Sequence, residues 1–187
     1  MQPVLPHLPY TGTVPILETE RLTLRGCQPA DFAPFMAMWS EPDFYRFLGQ
    51  KPLSEEDAWT KMLRTAGHWP LMGFGYWAVE ENATGRFLGM VGFSDFKRAI
   101  EPSVKGLPEI GWVLAPRAHG QGYATEAVRA ALAWGDTHFP PLRTVCIIGP
   151  DNRASLRVAE KCGYRLYART IYKEEPVLLL ARQEARL

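Results

Sequence analysis

The 187-residue chain has almost no net charge, few cysteines and no long apolar run, and each shortage closes off a class of function. Its 21 Lys and Arg stand against 20 Asp and Glu, leaving a net charge of +1. A protein that holds duplex nucleic acid needs surplus cations to neutralise phosphates, so no nucleic-acid partner is expected. The three cysteines, Cys27, Cys146 and Cys162, are odd in number and lack C-x-x-C spacing. That pattern excludes a disulfide framework and a thiolate metal site, and it points to a reducing cytoplasm. The four histidines are scattered without ligand spacing, so no metal is expected. No apolar run approaches the roughly 20 residues that span a bilayer, and residues 1–20 carry no Lys or Arg to start a signal peptide. No membrane partner is expected either.

What is present is ordinary globular composition, with 47% hydrophobic and 22% charged residues. A chain of this length makes about one domain and buries about 70% of its unfolded surface. Pro3, Pro6, Pro9 and Pro15 mark residues 1–16 as an extended proline-rich arm, a groove ligand or a tail lying on its own domain or on a second copy of the chain. Residues 17–187 then read as one α+β domain. The pattern predicts a strand around Leu22 and Leu24, then a helix that opens at Gln28-Pro29, runs through Trp39 and is ended by Pro42. Ser54 caps a second helix, in which Trp59, Met62, Leu63 and Ala66 recur at helical spacing. Residues 74–80 and 87–93 flank a turn at 82–85 and read as a hairpin, followed by a loop over 94–108. A strand over 110–114 runs into a helix over 123–138, whose apolar stripe includes Ala127, Val128, Ala131 and Leu132. A strand over 144–148, a short helix over 155–161 and strands over 164–172 and 177–182 complete the chain.

The most informative stretch joins the strand over 110–114 to the following helix through His119-Gly120-Gln121-Gly122-Tyr123-Ala124-Thr125. A strand that turns through glycines into a helix aims free N–H groups and the positive dipole end at one spot, which suits a phosphate. The glycines alone also fit a tight turn and nothing more. No Lys follows them as a P-loop requires, and Thr125 stands where a dinucleotide fingerprint has its third glycine. A second constellation, Asn152-x-x-Ser155-x-x-Val158-x-Glu160-Lys161-x-Gly163-Tyr164, follows about 30 residues later.

Together, in this order and spacing, the two segments resemble the GNAT superfamily of acyl-CoA-dependent N-acetyltransferases. The Thr125-Glu126-Ala127 continuation and the Asn-x-x-Ser spelling are similar to its ribosomal-protein α-amino acetyltransferase branch. With Glu18-Thr19-Glu20-Arg21-Leu22, the likeness covers about residues 17–182. The resemblance implies a GNAT fold with a twisted, mostly antiparallel sheet of about seven strands, two of which splay apart to admit acetyl-CoA as co-substrate. Trp112, Val113 and Leu114 would pair with the pantetheine arm, and the N–H groups from Gly120 through Gln121, Gly122, Tyr123 and Ala124 to Thr125 would hold the diphosphate. Asn152 would bond the pantetheine amides. Arg117, Arg153 and Arg157 are candidates for the adenosine phosphates, and His119 stands where the family has Arg or Gln.

For the chemistry, Glu109 is the candidate base, or else a surface glutamate at a strand end. A backbone N–H near Trp112 or Val113, where the family strand is bulged, is the candidate oxyanion donor. Ser155 is the candidate proton donor to the thiolate, since Ala159 replaces the family's usual tyrosine; the alternative is that its hydroxyl caps the short helix. Phe44, Tyr45, Phe47, Trp59, Trp69, Phe74 and Trp77 either line the acceptor pocket or belong to the core. The implied acceptor is an amine, whether a protein N-terminus or a small molecule, and the family implies a possible homodimer. Transfer of another acyl group and a catalytically silent acyl-CoA-binding module are the competing readings.

Overall fold

The computed structural model describes residues 8–45 and 52–183. Eight strands make one sheet: β1 (Leu17–Glu18), β2 (Leu22–Arg25), β3 (Tyr76–Glu81), β4 (Phe87–Ser94), β5 (Glu109–Leu114), β6 (Thr144–Ile148), β7 (Arg165–Tyr172) and β8 (Glu175–Arg182). Their order is β1-β2-β3-β4-β5-β6-β8-β7, with every neighbouring pair antiparallel except β5 and β6. The strand beyond the expected seven is the two-residue β1, which pairs Leu17 with Leu24.

Helices cover both faces, which is why β4 is buried along its whole length rather than alternately. On one face, α5 (Tyr123–His138) sets Ala127, Val128, Ala131 and Leu132 against Leu22, Trp77, Val91 and Phe93. On the other, α1 (Phe32–Trp39), the short α2 (Pro42–Tyr45) and α3 (Glu55–Ala66) pack Phe35, Trp39, Phe44 and Met62 on Tyr76, Ala78 and Met90. The five-residue α4 (His68–Met72) follows α3, and α6 (Arg153–Lys161) lies between β6 and β7.

Three local expectations change. Residues Pro29–Asp31 form a 3-10 turn before α1, because Asp31 accepts from the Gln28 N–H at 2.8 Å and from the Arg25 guanidinium at 2.8 and 2.9 Å. Helix α1 ends at Trp39, as the pattern predicts, with Ser40 as its C-cap, but Pro42 opens α2, the position its fixed φ suits. Helix α3 buries Ala58, Met62 and Thr65, while Trp59 and Leu63 are 40% and 52% exposed. Both rows obey helical spacing, so periodicity finds the helix without fixing its rotation. Of the arm, residues 8–16 lie on their own domain: the Leu8 N–H donates to Met72 O at 3.1 Å, and the Trp77 indole donates to Pro15 O at 2.8 Å.

Candidate active site

The site begins where the sheet opens. Strands β5 and β6 pair only at Glu109 and Val145, with the Val145 N–H donating to Pro108 O at 3.0 Å. Beyond that point a cavity of about 800 Å³ lies between them, lined on one side by Gly111 to Leu114 and on the other by Cys146 to Gly149. Backbone direction along β5 follows from two anchors. The Pro108 carbonyl points to β6, and the Ala115 N–H donates to Leu88 O of β4 at 2.8 Å. Since main-chain groups alternate along a strand, Ile110, Trp112 and Leu114 turn their N–H and C=O groups to the cavity, and Gly111 and Val113 turn theirs to β4. Of the two expected oxyanion donors, only Trp112 therefore faces the gap. The expected bulge is absent from this stretch: Glu109 to Leu114 pair one-to-one with Ser94 to Gly89. Gly89 accommodates the close fit at φ 147°, where a Cβ would meet Val113 O at 2.1 Å.

After β5, a 3-10 turn at Pro116–Ala118 leads to Gly120 and Gly122 at φ 75° and 85°, and α5 starts at Tyr123. No side chain caps that start, so its first N–H groups stay open to a ligand, and a Cβ built on Gly120 would meet nothing within 4 Å. Gly120, Gly122, Ala124 and Thr125 line the cavity, whereas Tyr123 turns inward and its hydroxyl donates to Glu81 at 2.7 Å. His119 Nε2 lies 2.8 Å from Leu114 O, at the strand end rather than over the helix start. Gln121 Nε2 donates to Arg117 O at 2.7 Å, and the Arg117 guanidinium donates to Phe87 O at 2.7 Å. Arg117 thus braces the turn instead of lining the cavity, as Arg157 does. Arg153 is exposed outside it.

Arg21 and Glu126, from two segments far apart in the chain, meet to fix this turn. Glu126, in the first turn of α5, accepts from the Arg21 N–H, the Arg21 Nε and the Thr19 hydroxyl at 3.0, 2.8 and 2.7 Å. Arg21 also donates to Gln121 O at 3.0 Å and stacks 4.5 Å over the Tyr123 ring. Burial lifts the Glu126 carboxyl, but the bonds from Thr19 and Arg21 outweigh it and hold the group below its usual range.

On the facing wall, Asn152 Oδ1 accepts from the Ser155 N–H at 3.0 Å and caps α6. The cap is therefore Asn152, and the alternative role for the Ser155 hydroxyl falls away. Both residues line the cavity beside Ala154 and Val158.

At the opposite end of β5, Glu109 is 6% exposed and both its oxygens accept from Arg98, through Nε and Nη2, at 2.7 Å each. A surface glutamate is thereby excluded. Burial pulls the Arg98 guanidinium down, but Glu109 outweighs it and the group stays above its ordinary value. Arg98 lies 5.0 Å over Phe96 and 5.1 Å over Tyr172. Lys61 and Arg64 enter from α3, at 4.6 Å over Trp39 and 4.8 Å over Phe96. The aromatic wall is Phe35, Trp39, Phe44, Tyr76 and Phe96. Of the seven aromatics considered from sequence, Phe44 lines the cavity, Trp69, Phe74 and Trp77 lie in the α5-side core, and Trp59 is exposed. Tyr45 is half-buried outside the lining, and Phe47 lies outside the described residues. No pattern flagged Arg98, Lys61 or Arg64, because they meet only through the fold.

The stretch that carries β5, the glycine turn, the open start of α5 and the splayed β6 falls within residues 21–165, which match the model of the acetyltransferase (GNAT) domain. The chain belongs to the GNAT acetyltransferase family. Bacillus subtilis YkkB is 34% identical over 172 residues, covering 89% of this chain and 95% of that protein. A solved GNAT-family acetyltransferase of Bordetella pertussis superposes with a TM-score of 0.80 at 31% identity, over 90% of this chain and 99% of that one. RimL, a ribosomal L7/L12 α-N-protein acetyltransferase solved with coenzyme A, has a TM-score of 0.70 over 90% of this chain and 98% of its own; at 18% identity the likeness is one of fold. As a GNAT member the chain is an acyl-CoA-dependent transferase. No helix among the described residues is long and apolar enough to cross a membrane.

Proposed function

We propose that the protein is a cytoplasmic N-acetyltransferase that moves the acetyl group of acetyl-CoA to a primary amine by direct attack in a ternary complex. The observation that carries this reading is the edge of β5 beyond its pairing at Glu109, where the Trp112 main-chain groups and the Leu114 N–H lead to the open N–H groups of α5, the Leu114 carbonyl being held by His119. A pantetheine arm lying on that edge adds to the sheet as a strand would, and the diphosphate meets the helix start from Gly120 to Thr125. Asn152, with its oxygen used in the cap, offers its Nδ2 to the arm.

The amine nitrogen attacks the thioester carbon, the carbonyl electrons move to oxygen, and collapse breaks the C–S bond. The Trp112 N–H donates to the developing oxyanion. Ser155 gives its hydroxyl proton to the departing sulfur and regains one from solvent. Glu109 keeps a second lone pair on each oxygen beside the bonds from Arg98, and through a water it takes the proton that the amine must lose.

Thiol release from acetyl-CoA, measured over a panel of amines, tests this reading. Turnover with at least one primary amine, and a fall of about 10²-fold or more in kcat for Glu109→Gln, is expected. Ser155→Ala should lower kcat more than KM. Tight acetyl-CoA binding with no turnover on any amine would leave a silent binding module.

A further inference from the structure

The acceptor end of the cavity carries more positive than negative charge. Lys61, Arg64 and Arg98 line it, and the one carboxylate in the lining, Glu109, is taken on both oxygens by Arg98. Among the described residues, neither Lys61 nor Arg64 forms an ion pair. Arg64 and the Glu109-paired Arg98 lie on the single ring of Phe96 at 4.8 and 5.0 Å, so the charges left to meet an incoming anion are those of Arg64 and Lys61. Burial, then the cations Arg64, Lys173 and Arg98, draw the Lys61 ammonium below its ordinary value against the pull of Asp57.

The cofactor's phosphates do not account for these charges. Glu109 and Leu114 stand at opposite ends of β5, and five strand steps separate them by about 17 Å. The glycine turn lies beyond Leu114, while Arg98 contacts Glu109. An anion bound by the half-buried Lys61 and the exposed Arg64 would therefore belong to the other substrate. Beside those charges stand Phe35, Trp39, Phe44 and Phe96, surfaces for an apolar or aromatic body.

Resting on the acetyl-transfer reading, we infer that the acceptor is a small primary amine that carries a carboxylate or a phosphonate on an apolar or aromatic frame, with Lys61 and Arg64 binding the anion. The same cations disfavour an ammonium in the pocket, so such an amine is held in the neutral form that attack requires. A polycationic acceptor is repelled.

The test compares molecules that differ only in the anion. Turnover is followed with L-phenylalanine, its α-aminophosphonate and phenethylamine. Product binding to the CoA-loaded protein is followed separately with N-acetyl-L-phenylalanine and N-acetylphenethylamine, by calorimetry. The anionic member of each set should be favoured by about tenfold or more, the phosphonate separating the two anion classes. Arg64→Gln and Lys61→Gln should each narrow that ratio, chiefly through KM, Lys61→Arg should restore it, and added salt should weaken it. Anion preference in product binding with no thiol release on any amine would keep the charge assignment and remove the transfer reading. Equal binding of the two products, binding of neither, or an unchanged ratio in both Gln variants would overturn the inference.

Discussion

The two ends of β5 are built by different means. Toward Leu114 the strand presents main-chain groups, continued by a helix start that no side chain caps, and the nearby side chains of Arg117, His119 and Gln121 turn back to brace carbonyls. Toward Glu109 the main chain is paired on both sides, and the cavity is shaped by side chains from α1, α3, β3 and the loop before β5. One end suits a ligand whose chemistry never varies, since backbone groups survive most substitutions. The other suits a ligand that differs from protein to protein, because each of its walls changes with a single residue.

That contrast is broken most severely at Arg98. Replacing it with Met strands a buried carboxylate, and denaturant unfolding should show a loss of about 3–5 kcal/mol. Adding Glu109→Gln should recover part of it, with CoA affinity unchanged throughout. At the other end, Gly122→Val puts a β-branched residue at φ 85° in the phosphate-facing turn. Calorimetry should find CoA affinity lowered about a hundredfold, roughly 2.7 kcal/mol, while the N-acetyl-L-phenylalanine probe still binds once CoA is raised to saturate the variant. Asn152→Ala removes the α6 cap and should lower stability by about 1 kcal/mol in thermal unfolding. The smallest effect is a pH dependence. Lys61 has a folded value below its ordinary 10.5, so it sheds its charge early as pH rises. Its burial cost vanishes over that window, so stability should rise with pH up to 10.5 relative to Lys61→Gln. Anion preference should fall about two- to fivefold over the same window in kinetic assays, and Lys61→Gln should show no such fall.

Legibility in the sequence follows the same division. Glycines with positive φ, the Asn-x-x-Ser spacing and the stripe of α5 are local signals, and they locate the main-chain end and its facing wall. Arg98 reaches Glu109 from 11 positions earlier in the chain, across a loop, and Lys61 and Arg64 arrive from a helix more than 40 residues upstream. Neither approach leaves a local pattern. Helix α3 shows the difficulty most plainly. Its existence was clear from the Ser54 cap and its periodicity, but its rotation decided whether Trp59 or Lys61 faced the cavity, and only packing on the sheet sets that rotation. The choice between Trp112 and Val113 was open for a related reason, because strand alternation needs an anchor such as the Ala115 bond to Leu88 before it acquires a phase.

The central claim is that the cofactor is held by the outward main-chain groups of β5 and the first turn of α5. Amide hydrogen exchange with and without coenzyme A tests it residue by residue. Exchange at Trp112 and Leu114 and over residues 123–125 should slow on binding, while Val113, already bonded to β4, stays slow in both states and the amides of α3 do not respond. Protection confined to α3, or none at Trp112 and Leu114, would contradict the account.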